Sequence, residues 1–149
     1  MNDIDYFRAG RSDTSAESLS SLAHDIRPKI RARVAENEAT SELLLQELSS
    51  DNNEEVRIAV GCNPSTPLRV VLRLAFDEHL DVRYSLAENA NLDLLILLCL
   101  ANDENPYVSQ RAFQTMQRIA LGGKLKVRKR SRNAARTVAR SVPARFQVC

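Results

Sequence analysis

Three arginines recur at intervals of 26 residues, a spacing that could line a groove for phosphates. They are Arg31, Arg57 and Arg83. A row of guanidinium groups would suit phosphates, because each presents a planar fork of N–H donors. Each arginine also follows an aspartate by six residues, and these aspartates are Asp25, Asp51 and Asp77. Since paired charges near a core usually serve the fold, we predict a structural ladder, with phosphate binding as the alternative.

A second candidate site is the C-terminal tail, where residues 124–149 hold nine Lys or Arg and no acidic residue. Residues 1–123 hold 12 Lys or Arg and 19 Asp or Glu, so an acidic body carries a basic tail. From position 133 an apolar stripe of Ala and Val predicts a short basic amphipathic helix. The residues predicted to bind a nucleic acid or an acidic partner are Lys124, Lys126, Arg128, Lys129, Arg130, Arg132, Arg136 and Arg140.

The sequence leaves several uses of this tail open. It would neutralise nucleic-acid phosphates, with an affinity that falls as the salt concentration rises. It would equally attach to an acidic protein or lie on a membrane surface. It would also serve to cap the last repeat or to join two copies of the chain. Because the chain has no Trp, three Tyr and four Phe, base stacking is disfavoured.

The remaining reactive side chains predict neither a metal site nor a catalytic site. His24 and His79 are not one period apart, and neither has a second ligand three or four residues away. The adjacent glycines Gly122 and Gly123 follow a predicted helix, whereas a phosphate-binding loop precedes one. No nucleophile stands beside a base, so we predict a protein that is not an enzyme and needs no cofactor.

Three widely spaced cysteines argue against a disulfide framework and for a reduced, cytoplasmic protein. Cys62 and Cys99 fall in helical patterns and are predicted to be small buried apolar residues. Cys149 has no activating neighbour in the sequence. The longest apolar run, residues 94–101, has eight residues and is too short to cross a membrane.

A pattern that occurs three times between residues 30 and 103 positions these side chains. One copy contains Val56, Arg57, Asn63 and Asp77. Its counterparts 26 residues later are Val82, Arg83, Asn89 and Asp103, and those 26 residues earlier are Ile30, Arg31, Asn37 and Asp51. A fixed period of this length is typical of stacked repeats. One helix pair cannot bury its own apolar stripe, so neighbouring pairs must complete its core.

Each copy predicts two helices. The first begins near Pro28, Glu54 or Leu80 and buries two columns four residues apart, which share one helix face. These columns are Ile30, Val56, Val82 and Val108, and Val34, Val60, Leu86 and Ala112. The second helix carries an i, i+1, i+4 stripe. Its members are Leu44, Leu45 and Leu48, then Val70, Val71 and Leu74, then Ile96, Leu97 and Leu100.

Polar residues predict where these helices begin and end. An asparagine in each copy is predicted to end the first helix in the left-handed conformation that Asn tolerates, and these are Asn37, Asn63 and Asn89. Thr40 and Thr66 are predicted to cap the second helix, with Pro67 at its first position. In the third copy, Asn91 or Asp93 is predicted to take the capping role.

These copies resemble the leucine-rich repeat variant family of bacterial proteins and, more broadly, HEAT-type α-solenoids. The resemblance covers roughly residues 14–121. It implies alternating helices wound into a right-handed superhelix, in which an Asp and an Arg at the six-residue separation brace adjacent loops. The cysteine cluster of some family members is not carried over, because residues 1–61 contain no cysteine. The matching residues are Val56-Arg57, Val60, Asn63-Pro64-Ser65-Thr66-Pro67 and Leu72-Arg73-Leu74-Ala75-Phe76-Asp77, with their counterparts one period away.

We therefore predict an all-α fold, a right-handed α-solenoid of about four stacked two-helix repeats with a basic C-terminal helical tail. Residues 1–13 are predicted to be irregular, and residues 14–121 to form the repeat array. The array contains a half repeat at 14–25, full repeats at 26–51, 52–77 and 78–103, and a capping helix at 104–121 that Gly122 and Gly123 stop. The tail comprises residues 122–149.

The predicted function is a non-catalytic adaptor that presents a curved surface to a macromolecular partner. A protein partner or a second copy of the chain fits this prediction, and nucleic-acid binding through the tail is the alternative. A weaker alternative is an enzyme that resembles the HEAT-like DNA glycosylases, which use aromatic and acidic groups in a concave groove. The candidate partner-binding column on the concave face is Ala32, Ile58, Tyr84 and Gln110.

Overall fold

The computed structural model describes residues 4–126, and the side chains of residues 4–122, of the 149-residue chain. These residues form nine helices and no strand, so the prediction of an all-α fold is confirmed. The first helices of successive units are α1 (Ile4–Ala9), α3 (Pro28–Glu36), α5 (Glu54–Cys62), α7 (Leu80–Glu88) and α9 (Pro106–Lys126). The second helices are α2 (Ala16–Leu22), α4 (Glu42–Leu48), α6 (Leu68–Leu74) and α8 (Leu94–Leu100).

The sequence period is visible in the helix lengths and in the core. Helices α3, α5 and α7 have nine residues each and begin at the predicted positions, whereas the four second helices have seven each. The predicted apolar columns of the first helices are buried, from Ile30 to Val108 and from Val34 to Ala112. The i, i+1, i+4 stripes of α4, α6 and α8 are buried as well.

The helices share one continuous core. Helix α3 contacts α1 and α5, and α7 contacts α5 and α9, so the first helices lie side by side. Each second helix contacts the first helix that precedes it in the chain. Buried side chains from Ala9 to Ala112 form a single apolar cluster. Among residues 4–126, no helix combines the length and the apolar character that crossing a bilayer requires.

The prediction that residues 1–13 are irregular is wrong, because Ile4–Ala9 form α1. This helix precedes α3 by one period and contacts it. Thr14 donates its hydroxyl to the carbonyl of Arg8, as Thr40 does to that of Val34. Helices α1 and α2 therefore form one complete unit, which was predicted as an irregular segment (1–13) followed by a half repeat (14–25). The pattern is hidden there because Arg8 occupies the position that Val34 fills one period later.

The asparagines end the first helices as predicted, but their predicted conformation is wrong. Asn37, Asn63 and Asn89 are the C-cap residues of α3, α5 and α7, with φ of −73°, −75° and −77° and ψ of 122°, 125° and 105°. This backbone is extended and not left-handed. The extended turn leaves the side chain free to bond elsewhere, as described below.

The predicted caps of the second helices are displaced by one residue. The N-cap residues are Ser41, Pro67 and Asp93, so the role predicted for Thr40 and Thr66 is wrong and that for Asp93 is confirmed. Thr40 and Thr66 donate instead to the carbonyls of Val34 and Val60 at 2.6 Å. Each threonine thereby adds a second hydrogen bond to a carbonyl in the last turn of its first helix, which already accepts the backbone N–H of the C-cap asparagine.

Two further predictions are wrong. Helix α9 continues through Gly122 and Gly123 to Lys126. A glycine inside a helix costs only about 1 kcal/mol relative to alanine, and the neighbouring Leu and Lys residues favour the helix. Cys62 and Cys99 are exposed and not buried. The equivalents of Cys62 one period away are Glu36 and Glu88, and those of Cys99 one and two periods earlier are Arg73 and Glu47. Charged residues at these positions are the signal for an exposed position.

Candidate functional site

The predicted ladder is present as a row of arginines that each link two loops one period apart. We name it the Asp–Arg ladder, and its arginines are Arg31, Arg57 and Arg83. Arg57 donates from Nε and Nη2 to the carboxylate of Asp77, at 2.8 and 3.0 Å. Its Nη1 donates to the backbone carbonyl of Asp51 at 2.8 Å. Arg31 bonds in the same way to the carboxylate of Asp51 and the carbonyl of Asp25, and Arg83 to the carboxylate of Asp103 and the carbonyl of Asp77.

Each arginine was predicted to pair with the aspartate six residues before it, but it does not bind the carboxylate of that residue. The carboxylate that Arg31 binds lies 20 residues after it, and the earlier residue, Asp25, contributes its backbone carbonyl. The carboxylate of Asp25 pairs with Arg27 at 2.7 Å. Side chains on a helix lean toward its N-terminus, so an arginine in the first turn reaches the loop before its own helix and the loop before the next.

The ladder carboxylates are held in their ionised form. Burial alone would raise the pKa of Asp77, but hydrogen bonds from Arg57 and from the backbone N–H of His79 outweigh it and hold that pKa below its ordinary value. The pKa values of Asp51 and Asp103 are lowered by the same balance. The side chains of Arg57 and Asp77 are 10% and 9% exposed. All three guanidinium nitrogens of Arg57 are engaged, so this ladder joins loops and offers little to a phosphate.

Buried asparagines form a second ladder at the opposite ends of the first helices. Nδ2 of Asn63 donates to the carbonyls of Ala35 and Asn37 at 2.7 and 3.0 Å. Nδ2 of Asn37 donates to the carbonyls of Ala9 and Arg11, both at 2.8 Å. These bonds cross from one unit to the end of the preceding first helix. Sequence reasoning assigned the asparagines to caps alone, although a polar residue repeated among buried columns could have indicated this link.

The four residues of the predicted concave column differ in environment. Ala32, Ile58 and Tyr84 are half-buried and pack against the core, whereas Gln110 is exposed. The Tyr84 hydroxyl accepts hydrogen bonds from Nε and Nη2 of Arg111, at 3.0 and 2.6 Å. Three periods earlier, Arg33 lies over the ring of Tyr6 with its guanidinium carbon 5.4 Å from the ring centroid. The tyrosines of this column are therefore held by arginines of the following unit, a contact that the sequence reasoning missed.

The second helices carry an apolar surface that faces away from the core. We name it the outer face. Its exposed residues are Leu43, Leu68, Leu72, Leu94, Leu95 and Leu98 on the helices, with Phe76 in the turn after α6. The signal in the sequence is α8, whose residues Leu-Leu-Ile-Leu-Leu-Cys-Leu are apolar on every side although only Ile96, Leu97 and Leu100 are buried. Helices that are apolar all round are normally buried on all sides.

The character of the outer face changes along the array. Between α4 and α6, Arg69 donates to the side-chain carbonyl of Gln46 at 2.7 Å. One period later the same two positions hold Leu95 and Leu72, which are 70% and 44% exposed. A polar contact between neighbouring second helices is thus replaced by an exposed apolar pair.

Open grooves separate adjacent loops on the side of the Asp–Arg ladder. One is lined by Asp51, Arg57, Arg73 and Asp77. Their charged groups are engaged, since Arg73 donates to the hydroxyl of Ser49 and the others bond as above. In the part of the chain that the structure describes, no group of three His, Cys, Asp or Glu side chains is placed to hold a metal ion.

The predicted basic site lies almost wholly outside the described residues. Lys124 and Lys126 are in the last turns of α9, where the structure describes the backbone. The other six predicted binding residues and the predicted amphipathic helix lie outside the described range. They are Arg128, Lys129, Arg130, Arg132, Arg136 and Arg140.

Comparison of the chain with protein-family models, with curated proteins and with solved structures finds no match.

Proposed function

We propose that the chain is a non-catalytic binding protein, a right-handed α-solenoid of two-helix repeats whose outer face binds a protein partner. The solenoid is supported by the side-by-side contacts of the first helices, by the Asp–Arg ladder at three successive periods and by the cross-unit bonds of Asn37 and Asn63. The resemblance to leucine-rich repeat variant and HEAT-type repeats supports it too. A cytoplasmic location is part of the proposal, because an odd number of cysteines suits a reducing compartment.

The observation that carries the proposed function is the exposed pair Leu72 and Leu95. At the preceding interface of second helices, Gln46 and Arg69 occupy these positions and bond to each other. Contiguous exposed apolar side chains on a water-soluble surface commonly mark a protein interaction site. We place the partner here and not on the column from Ala32 to Gln110, because the hydroxyl of Tyr84 in that column is already bonded to Arg111.

The test replaces Leu72 and Leu95 with the residue types found at the equivalent positions one period earlier, Gln46 and Arg69. The double variant Leu72→Gln, Leu95→Arg is expected to fold as the wild type does, since both side chains are exposed. Proteins recovered with the tagged wild-type chain from cells of its source would be quantified by mass spectrometry. We expect their recovery with the double variant to fall at least tenfold. Unchanged recovery would show that the partner does not bind the outer face. A loss of recovery seen only with the control Gln110→Ala would instead place the binding site on the first helices.

A second candidate function is nucleic-acid binding through the tail, and the charge distribution favours it. Residues 124–149 carry nine Lys or Arg and no acid. Each phosphate contact adds roughly 0.9 to the slope of log affinity against log salt on duplex DNA. The full chain and a variant with six tail residues changed to Gln would be titrated against duplex DNA and structured RNA at two salt concentrations. Absence of binding by the wild type at low salt would remove this candidate. The six substituted residues are Arg128, Lys129, Arg130, Arg132, Arg136 and Arg140.

A further inference from the structure

Helix α9 has a first-helix neighbour on one side only within the described residues. It contacts α7 and α8, whereas α3, α5 and α7 each lie between two other first helices. The opposite side of α9 is therefore the end of the array within residues 4–126. Its residues can be identified from the equivalent positions of the earlier units.

Phe113 marks this end on α9. Its equivalents Ala35, Gly61 and Ala87 are buried, whereas Phe113 is 57% exposed. In α5 this position faces the following unit, because a Cβ placed on Gly61 would lie 2.9 Å from the side chain of Leu86. Phe113 is also too large for the close contact that small residues allow there, so another unit in the same register does not fit against it.

Leu98 marks the same end on α8. Its equivalent in α4 is Gln46, which contacts Arg69 of the following second helix. Leu98 is 45% exposed. Met116 and Ala120 follow Phe113 by three and seven residues and lie on the same side of α9. We name these four residues, Leu98, Phe113, Met116 and Ala120, the end face.

We propose that the end face is covered by residues 127–149 of the same chain. This segment continues directly from α9, which forms one side of the end face. In each complete unit, a short stretch leads from the end of the first helix to the end of the second, as from Glu36 to Leu48. Helix α9 runs 12 residues past Gln114, the equivalent of Glu36, which is about 18 Å. About six extended residues cover that distance back along α9. The other 17 residues of 127–149 exceed the 12 that lead from Glu36 to Leu48, so the length suffices. A segment in this place would lie where a second helix lies beside α3, α5 and α7.

The sizes of the apolar side chains and the charge of residues 127–149 suit the end face. Its apolar side chains at helical spacing are small, at Ala134, Ala135, Val138 and Val142, which suits a surface where Phe113 already fills space. Residues 127–149 carry seven Lys or Arg and no acid, against 14 Lys or Arg and 19 acids in residues 1–126. Asp93 and Glu104, which flank α8, are exposed acids that the segment's arginines would meet.

Limited trypsin digestion of the full chain tests this contact, because the segment is rich in cleavage sites. Mass spectrometry would compare its rate of cleavage with that of a synthetic peptide of residues 127–149. We expect the segment to be cleaved about tenfold more slowly in the chain, since cleavage tracks the population of the open form. The variant Leu98→Lys, Phe113→Lys is expected to restore the peptide's rate through charge repulsion. The control Leu43→Lys, 78% exposed in the wild type and on α4, is expected to leave protection intact.

Three outcomes would overturn the proposal. They are cleavage of the wild-type segment at the rate of the peptide, protection that survives the double lysine variant, and protection that grows with protein concentration. The last would mean that a second copy supplies the segment. If the lysine variant loses helicity, the milder Leu98→Gln, Phe113→Ala takes its place, because Gln46, Ala35 and Ala87 occupy these positions in earlier units. We expect about threefold faster cleavage of that variant.

Discussion

Arg83 donates to both carboxylate oxygens of Asp103, which follows it by 20 residues, at 2.7 and 3.2 Å. The two residues belong to consecutive units, and their side chains are 12% and 8% exposed. The same arginine reaches back to the carbonyl of Asp77 at 2.7 Å. One side chain thus fixes the spacing of two loops, and the position of each unit depends on the unit after it.

Removing one arginine of this ladder is expected to destabilise the whole protein. Arg57→Ala leaves the carboxylate of Asp77 without its cationic partner and the carbonyl of Asp51 without its side-chain donor. Removing one partner of a buried ion pair costs about 3 to 5 kcal/mol. Urea denaturation followed by circular dichroism would measure the loss. The control Arg69→Ala removes an exposed hydrogen bond to Gln46 and is expected to cost less than about 1 kcal/mol. Equal losses for the two variants would contradict a structural role for the ladder.

The ladder also predicts how stability depends on pH. The pKa values of Asp51, Asp77 and Asp103 are lower in the folded state than their ordinary value. A carboxylate with a depressed folded pKa stabilises the protein above its unfolded pKa, and this contribution is lost as the pH falls through the folded pKa. The free energy of unfolding is therefore expected to decline from about pH 4 downward. Urea denaturation between pH 2 and 6 checks this, and Asp77→Asn should have a shallower decline than the wild type.

The asparagine ladder predicts a comparable loss at the other ends of the first helices. Asn63→Ala removes the side-chain donor of the carbonyl of Ala35 and one of the two donors of the carbonyl of Asn37, which still accepts from the backbone N–H of Thr40. Each unsatisfied buried group costs about 1 to 3 kcal/mol. The midpoint of thermal unfolding is expected to fall by more than about 5 °C. The exposed Asn91 provides the matched control, since Asn91→Ala removes a side chain outside the ladder. A drop of similar size in both variants would argue against the cross-unit bonds.

Two glycines in helices are expected to respond in opposite directions. Gly61→Leu forces a side chain against Leu86 and Leu74, and overpacking of this kind costs about 1 to 3 kcal/mol. Gly122 has no neighbouring atom within 4 Å of an added Cβ, so Gly122→Leu gains helix propensity of roughly 0.5 to 1 kcal/mol. Urea midpoints of the two variants should move to either side of the wild type. A stabilising Gly61→Leu would mean that α5 and α7 pack less closely than described.

Much of the fold could be predicted because the apolar columns repeat at a fixed interval. Ile30, Val56 and Val82 locate the start of three helices, and the structure confirms these positions. The start of the array was missed because Arg8 interrupts the apolar columns of α1. The end was misplaced because Gly122 and Gly123 interrupt the pattern of α9 without breaking the helix.

The site could be predicted only in part, because sequence spacing does not give the direction of a side chain. The six-residue separation of Asp25 and Arg31 is real, yet the carboxylate bond runs from Arg31 to Asp51. The cysteines were misplaced because each was judged alone. Comparison of Cys62 with Glu36 and Glu88, its equivalents, indicates an exposed position. The contact of Arg111 with Tyr84 was missed, although Tyr6 and Arg33 have the same spacing three periods earlier.

The direction of the arginine bonds bears on how the protein can be divided. Because each guanidinium of the Asp–Arg ladder reaches forward to the loop of the succeeding unit, a chain shortened from its C-terminal side leaves a cation at the new edge without its counter-ion. Shortening from the N-terminal side removes an arginine and leaves a carboxylate without its counter-ion instead. The two kinds of truncation therefore leave new edges of opposite charge.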